Sequence, residues 1–203
     1  MRLLLLAPPG AGKGTQGERL AAWSGARHIA AGDLLRACAR DGGPLGREIA
    51  DCQARGDLVP DQIVLDVLTP AVVEAAAAEG PGRSGTAGGG YILDGFPRTL
   101  PQALAAAELA ARLGVTLDAA IYLHAADEVL TRRLLERASQ GRADDVADVI
   151  QHRLRVFAET TGPLVPYYTE RGILVAVDAD RPPEAVTADI QARLSGLPAA
   201  GLE

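Results

Sequence analysis

Short apolar runs alternate with longer amphipathic stretches along most of this chain of 203 residues. The apolar runs have the length of buried strands, and they predict strands at residues 2–6, 27–29, 91–94, 119–123 and 173–177. The stretches between them repeat apolar residues at helical spacing, and they predict helices at 13–23, 33–40, 45–55, 62–78, 101–113, 128–137, 146–160 and 184–194. This alternation is typical of an α/β fold, in which helices flank a parallel sheet.

The predicted fold also indicates where a ligand would bind. Open α/β sheets bind ligands at the carboxyl ends of their strands. Two segments with distinctive composition fall there: residues 7–15 follow the first strand, and residues 94–98 follow the third. We therefore expect the two segments to contribute to one site.

Composition places the chain among ordinary globular proteins, because 48% of its residues are hydrophobic and 23% are charged. The length suits one domain over residues 1–203. The formal net charge of −6 argues against a broad surface for nucleic acid or for an anionic membrane. The run at 3–6 is too short for an export signal, and no later run is long enough to span a membrane. We therefore expect a cytoplasmic protein.

Metal-binding motifs are not evident in the sequence. The two cysteines, Cys38 and Cys52, are far apart and form no C-x-x-C motif, and the three histidines are scattered. We expect reduced thiols and no structural zinc.

Two further segments predict little regular structure. Residues 80–90, "GPGRSGTAGGG", are too rich in glycine to form a helix or strand at low cost, and they predict a surface linker. This segment also lacks the lysine and the following helix of a phosphate-binding loop. Residues 196–203 predict a frayed tail.

Residues 7–15, "APPGAGKGT", predict a phosphate-binding loop between a strand and a helix. Such a loop points several backbone N–H groups and the positive end of the helix into one concavity. Lys13 would reach the β- and γ-phosphates, and the Thr15 hydroxyl could approach Mg²⁺. The general pattern G-x-x-x-x-G-K-[ST] has glycine where this chain has Ala7, which predicts either a negative φ at Ala7 or a reshaped loop.

Lys13 is also the only lysine among 20 basic residues, the other 19 being arginines. A narrow loop around a phosphate accepts the compact lysine ammonium but not the wide guanidinium of arginine. One lysine could fall by chance at any basic position, so this observation only supports the loop.

A resemblance to a known family rests on six segments: "PGAGKGTQ" at 9–16, "GDLLR" at 32–36, "GDLVPDQIV" at 56–64, "DGFPRTLPQ" at 94–102, "RRLLERASQGRADD" at 132–145 and "PLVPYY" at 163–168. In these segments the chain resembles the nucleoside monophosphate kinases, above all the adenylate kinases. The arginine-rich segment resembles the short form of the family's lid and has no cysteines for zinc.

The resemblance implies a P-loop three-layer fold with a five-stranded parallel sheet. A monophosphate-binding insertion at 30–59 and a lid at 138–146 would interrupt a core of residues 1–29, 60–137 and 147–203. It also implies a monomer that transfers a phosphoryl group reversibly from ATP to AMP, giving two ADP, with Mg²⁺ as the cofactor.

The same resemblance assigns the site residues. The catalytic residues would be Lys13, Arg98, Arg137, Arg142 and Arg153. ATP would contact Gly10, Ala11, Gly12, Lys13, Gly14, Thr15, Arg133, Arg137 and Arg181. AMP would contact Ala31, Arg36, Asp57, Leu58, Val59, Gly95, Phe96, Pro97, Arg98, Gln102, Arg142 and Arg153. Mg²⁺ would be held through the nucleotide and through waters near Thr15 and Asp94.

Individual roles follow from the resemblance as well. Arg36 and Arg98 would bind the phosphate of the acceptor, Arg137, Arg142 and Arg153 would close over the transferring group, and Arg133 would stack on the donor adenine. From the residues alone, a solvated basic face remains an alternative for these arginines, because most surface arginines serve one.

The identity of the acceptor base is a separate question. The adenylate kinases that this chain resembles carry Ser-Thr where it has Ala30 and Ala31. Alanine at the second of these positions is a feature of the related UMP/CMP kinases. Those relatives have asparagine in place of Thr99 and Gln102, and the Gln102 amide can both donate to adenine and accept from it. AMP is therefore the favoured acceptor. A UMP/CMP kinase and a nucleotide-binding protein without turnover are the alternatives.

Overall fold

A computed structural model of the chain describes residues 1–55, 59–78, 89–138 and 147–197. Five strands alternate with helices in these ranges. The strands are β1 Arg2–Leu6, β2 Arg27–Ala30, β3 Tyr91–Asp94, β4 Ala119–His124 and β5 Leu174–Asp178. The α-helices are α1 Lys13–Ser24, α2 Ala31–Arg40, α3 Pro44–Arg55, α4 Asp61–Ala77, α5 Leu100–Leu113, α6 Asp127–Ala138, α7 Ala147–Val156, α8 Leu164–Glu170 and α9 Pro183–Ser195.

The five strands form one parallel sheet in the order β2-β3-β1-β4-β5. The central strand, β1, pairs with β3 on one side and with β4 on the other, so that Leu4 lies between Leu93 and Ala120. The structure thus confirms the predicted α/β fold with a five-stranded parallel sheet.

The leucines of β1 belong to two separate hydrophobic cores, one on each face of the sheet. Leu4 and Leu6 belong to one core, and Leu3 and Leu5 belong to the other. All four are at most 3% exposed. Because successive side chains of a strand point to opposite faces, a continuous leucine run is what a strand covered by helices on both faces requires. The result is the predicted three-layer arrangement.

The strand order places a crevice between β1 and β3. From β1 the chain passes through α1 to β2, on one side of the sheet, whereas from β3 it passes through α5 to β4, on the other side of β1. Adjacent strands whose connections leave in opposite directions separate their following loops, and ligands bind in that gap. Residues 7–12 and 95–99 flank it.

Three local features differ from the sequence-based prediction. Helix α2 begins at Ala31, two residues earlier than expected. The helix predicted at 146–160 is α-helical only to Val156, after which Phe157–Thr161 form a π-helical turn in which the Gly162 N–H donates to the Phe157 carbonyl. Helix α8 was not predicted, because Pro163 and Pro166 within "PLVPYY" obscure the pattern. Both prolines lie at or near the start of α8, where a missing N–H is tolerated.

The described ranges contain much of the predicted insertion at 30–59, as α2 and α3, but little of the predicted lid. Residues 56–58, 79–88, 139–146 and 198–203 lie outside them. The division into core, insertion and lid therefore stays a prediction, as do the linker and the tail. No helix in the described ranges is long and apolar enough to cross a membrane.

Candidate active site

The segment between β1 and α1 forms a tight loop whose conformation depends on two glycines. Gly10 and Gly12 have φ values of +87° and +92°, in the left-handed region that favours glycine. Among the described residues, no residue other than glycine has a positive φ, so Ala7 adopts a negative one. Of the two predicted outcomes, a negative φ or a reshaped loop, the structure shows the negative φ, so alanine is compatible with this position.

Gly10 is required for a second reason, because the loop packs closely on α6. A Cβ atom on Gly10 would lie 2.9 Å from the carbonyl oxygen of Leu130 and 3.1 Å from the Leu134 side chain. Any other residue would push the loop away from α6. Glycine here fixes both the shape of the loop and its distance from α6.

Lys13 opens α1 and reaches back over the loop. Its Nζ donates a hydrogen bond to the Ala7 carbonyl at 2.9 Å. The preceding residue, Gly12, has no side chain to cap the helix, and the first turn of α1 contains no acidic residue. The positive end of the helix dipole is therefore not offset locally by a carboxylate, which suits an anion such as a phosphate.

A cavity of about 330 Å³ lies in the crevice between the two predicted ligand-binding segments. The phosphate loop, the segment at 95–98, and α7 with its π-helical turn line it, and Lys13, Arg98 and Arg153 all contribute. Three cations around one cavity in a chain of net charge −6 form a local positive field. The structure thus brings together one lysine and two arginines that the sequence predicted to share a site.

The backbone N–H and the backbone carbonyl of Arg98 are both fixed by hydrogen bonds to side chains. Its backbone N–H donates to Gln102 Oε1 at 2.7 Å, and its carbonyl accepts from Thr161 Oγ1 at 2.9 Å. The guanidinium Nε donates to the Gly95 carbonyl at 2.9 Å. These three hydrogen bonds fix the backbone of Arg98 and hold its guanidinium against the loop after β3.

The charge of Arg98 is set by three neighbouring influences. Loss of hydration lowers the pKa of its guanidinium, the Asp94 carboxylate acts in the opposite direction, and Arg153 lowers the pKa further. Because arginine is effectively always protonated in proteins, Arg98 stays cationic at neutral pH.

The loop after β3 approaches the start of α2 closely. Gly95 has a φ of +84°, and a Cβ atom on it would lie 3.8 Å from Arg98 Nη2 and 3.9 Å from the Ala31 Cβ. The following Phe96–Pro97 peptide bond is cis, and Phe96 is buried. Thus Ala31 and the segment from Gly95 to Arg98, all predicted to contact AMP, lie together.

Two side chains that carry oxygen atoms flank this site, Asp94 at the end of β3 and Thr15 near the start of α1. Thr15 is exposed in the first turn of α1. Asp94 ends β3, with its Oδ2 3.8 Å from His28 Nε2. Within the described ranges no group of three or more His, Cys, Asp or Glu side chains could enclose a metal ion.

Other predicted site residues are engaged elsewhere in the structure. Arg36 forms an ion pair with Asp33 one turn earlier in α2. Arg181 donates to Asp189 Oδ2 at 2.6 Å and to the Asp178 carbonyl at 3.1 Å. Neither arginine lines the 330 Å³ cavity.

The remaining predicted contacts divide into two groups. Arg133 is half-buried in α6, Val59 is buried before α4, Ala11 is buried in the phosphate loop, and Gly14 is exposed in α1. Asp57, Leu58 and Arg142 lie outside the described residues, as does the side chain of Arg137. Their roles stay predictions.

Sequence reasoning missed three polar residues that shape the site. Gln16 is 3% exposed, Nε2 donating to the Pro183 carbonyl at 3.0 Å and Oε1 accepting from Thr187 at 2.7 Å. Thr161 and Asp61 hold the peptide of Arg98 and the amide of Gln102. The available signals were weak: Gln16 and Asp61 lie inside the family-like segments 9–16 and 56–64, and nothing local marks Thr161.

Comparison with known proteins gives one consistent family. The family model described as adenylate kinase matches residues 5–173. A protein named adenylate kinase from Synechococcus sp. (strain WH7803) is 42% identical over 194 residues, which cover 96% of this chain and 98% of that protein. Adenylate kinase from Synechococcus sp. (strain CC9902) is 44% identical, covering 92% of this chain and 94% of that protein. Adenylate kinase from Xanthomonas euvesicatoria pv. vesicatoria (strain 85-10) is 43% identical, covering 88% and 90%.

Proposed function

The chain belongs to the adenylate kinase family, and on this basis we propose that it transfers a phosphoryl group reversibly from ATP to AMP, giving two ADP. The observation that carries the proposal is the convergence of Lys13, Arg98 and Arg153 on one cavity at the carboxyl ends of β1 and β3. The relatives' names favour AMP over the pyrimidine monophosphates as the acceptor.

Transfer between two nucleotides brings many negative oxygens together, so catalysis consists mainly of positioning and charge neutralisation. The Lys13 ammonium would exchange the Ala7 carbonyl for oxygens of the β- and γ-phosphates, while the N–H groups of the loop hold the donor. No general base is needed, because the acceptor phosphate is already ionised.

On the acceptor side, Arg98 would bind the phosphate of AMP, with its peptide held by Gln102 and Thr161. Arg36 would join it by releasing Asp33, and Arg153 would contact the transferring group from α7. Arg137 and Arg142 would close over that group from the lid, and Arg133 and Arg181 would contact ATP. Closure of the insertions at 30–59 and 138–146 would exclude water, to which the phosphoryl group could otherwise be lost.

The oxygen donors near the cavity fit Mg²⁺, which retains several waters and is commonly bound through phosphates and one or two carboxylates. Thr15 and Asp94 would hold the hydrated ion, and the described ranges contain no enclosing cluster that would favour another metal. When bound, Mg²⁺ neutralises phosphate charge.

An initial-rate panel tests the proposal. ATP–Mg²⁺ is mixed in turn with AMP, UMP, CMP and GMP, and ADP formation is followed in a coupled assay. We expect AMP to be the fastest acceptor. Lys13→Ala should lower the rate by at least about 100-fold, as loss of a preorganised contact to developing charge does, with an unchanged circular dichroism spectrum. As a matched loss of an exposed cation, Arg112→Ala in the last turn of α5 should keep the wild-type rate.

Two results would contradict the proposal. Nucleotide binding without ADP formation from ATP and AMP would favour a binding protein, and faster turnover of UMP or CMP than of AMP would favour the pyrimidine alternative. Wild-type turnover by Lys13→Ala would remove Lys13 from the mechanism.

A further inference from the structure

The amide of Gln102 lies between two groups that fix its direction. Nε2 donates to Asp61 Oδ1 at 2.7 Å, and Oε1 accepts from the Arg98 backbone N–H at 2.7 Å. Gln102 is 4% exposed, in the first turn of α5, and Asp61 is the first residue of α4. Two contacts that span 41 and 4 positions of the chain therefore meet on one buried side chain.

The chemistry of these two neighbours allows only one orientation of the amide. An ionised carboxylate can only accept hydrogen bonds, and a backbone N–H can only donate. If the amide turned over by 180°, its oxygen would face the Asp61 carboxylate and its NH₂ group would face the Arg98 N–H. Both hydrogen bonds would be replaced by repulsive contacts. The orientation thus follows from the neighbours and does not depend on distinguishing nitrogen from oxygen in the side chain.

Within the described ranges of the chain, one donor and one acceptor of the amide remain unused. The NH₂ group has a second hydrogen and the oxygen has a second lone pair. Adenine presents a 6-amino donor beside the N1 acceptor, which an amide of fixed direction can complement. Guanine presents the reverse, a 6-oxo acceptor beside an N1–H donor. An amide held in one direction therefore accepts one purine and repels the other, whereas an amide that can turn over accepts both.

We infer that Asp61 is a positioning residue that fixes the Gln102 amide and thereby makes the acceptor site select adenine over guanine. The inference rests on the proposed function and on the expectation, from the family resemblance, that Gln102 contacts the base of AMP. Asp61 itself need not touch the nucleotide. It acts from the start of α4, directly after the predicted monophosphate-binding insertion, through the one amide that also holds the backbone N–H of Arg98.

The variant Asp61→Asn tests this inference, because asparagine keeps the size of the side chain and can both donate and accept. It therefore supports either orientation of Gln102. We expect the ratio of kcat/KM for AMP to that for GMP to fall about tenfold, through a higher KM for AMP and a faster reaction with GMP, with the KM for ATP unchanged. Losing a charge-assisted partner is of this order.

The matched control is Asp66→Asn in the same helix. Asp61 and Asp66 are both exposed, and Asp66 Oδ1 accepts a hydrogen bond from another glutamine amide, Gln62 Nε2, at 2.8 Å. It contacts none of the proposed site residues through that bond. Asp66→Asn should keep the wild-type AMP-to-GMP ratio, which separates the effect of Asp61 from loss of a negative charge near the start of α4.

Isothermal titration with AMP and with GMP compares the Kd values of the two nucleotides without turnover, so that the preference of a slow variant can still be measured. If Asp61 had a purely structural role, its loss would weaken the binding of AMP and of GMP alike. An unchanged AMP-to-GMP ratio in both kinetics and titration would overturn the inference. Failure of the proposed function is a different result, namely a wild-type protein that forms no ADP from ATP and AMP.

Discussion

At the scale of single residues, Gly17 in the middle of α1 is explained by the imidazole ring of His28. A Cβ atom on Gly17 would lie 2.4 Å from His28 Nε2 and 2.7 Å from Cε1. The His28 side chain is 19% exposed, and its Nε2 has no hydrogen-bond partner in the part of the chain that the structure describes. Glycine here lets β2 and α1 approach each other, at the expense of helix propensity.

We therefore predict that Gly17→Ala destabilises the protein by about 1–3 kcal/mol, as overpacking of a filled region does. In a flexible, exposed helix the same change would stabilise by about 1 kcal/mol. Urea unfolding of both proteins gives the difference in free energy of unfolding.

A second background makes the cause of that effect testable. In His28→Ala, from which the ring is missing, Gly17→Ala should stabilise by about 0.5–1 kcal/mol, because only helix propensity remains. Stabilisation in both backgrounds would show that the ring does not restrict position 17.

At the scale of elements, α5 covers its face of the sheet with small side chains. Ala103, Ala106, Ala107 and Ala110 line a second, apolar cavity of about 190 Å³. Side chains of α4 and α8 also line it, as does Pro97 from the loop after β3. Larger residues in α5 would fill this space, so the alanines leave unused packing energy near the site.

Filling the cavity should stabilise the fold. We predict that Ala106→Leu raises the free energy of unfolding by about 1 kcal/mol, the usual range for cavity filling. The control, Ala111→Leu, places the same side chain on the exposed face of α5 and should change stability by less than about 0.5 kcal/mol. Thermal unfolding of the two variants compares them directly, and a loss of stability in Ala106→Leu alone would mean that the cavity cannot accept a leucine.

The elements also show what a sequence can reveal about this fold. All five strands were predicted within one residue at each end. Four of them are short runs of mainly apolar residues, whereas β2, with the sequence RHIA, carries only a weak signal of this kind. Helix α8 and the π-helical turn were missed, since proline obscures the first and a one-residue widening leaves no periodic signal for the second.

The candidate site divides in the same way. Lys13 and Arg98 stand in local motifs, and the structure brings both to one cavity. The contacts of Arg98 with Thr161 and of Gln102 with Asp61 span 63 and 41 positions. Such pairs arise only when separate elements pack, so no window of sequence contains them.

At the scale of the whole molecule, α9 is attached to α1, the helix that begins at the phosphate loop. Gln16 of α1 bonds to Pro183 and Thr187 of α9, and Arg19 Nη2 lies 2.6 Å from Glu184 Oε1. Breaking a buried hydrogen bond of this kind destabilises the protein, because a buried polar group is then left without a partner. Loosening α9 is thus expected to loosen the start of α1.

Asp189 makes the stability of α9 dependent on pH. Hydrogen bonds from Arg193 and Arg181 hold the pKa of Asp189 below its ordinary value near about 3.9. A lowered folded-state pKa contributes stability above the unfolded-state pKa, and that contribution is lost as the pH falls through the folded-state pKa. We predict that Asp189→Asn lowers the free energy of unfolding by about 1 kcal/mol at pH 7.

The difference between wild type and Asp189→Asn should shrink steadily below about pH 4. In that range the unfolded wild-type chain binds a proton at Asp189 more readily than the folded protein does, which favours unfolding. Urea unfolding at pH 7 and pH 3 measures the difference. An equal difference at both pH values would show that the effect of the substitution comes from shape and not from charge.

The hydrogen bond from Lys13 Nζ to the Ala7 carbonyl has a practical consequence, because this chain has no second lysine. A lysine-specific endoprotease can cut it at one peptide bond, Lys13–Gly14, and acylating reagents have one ε-amine to modify. Both reactions require the ammonium group to leave the Ala7 carbonyl, and cleavage also requires the first turn of α1 to open. Their rates in the unmodified protein therefore measure how often the loop opens, and a bound triphosphate should slow them without any label being introduced.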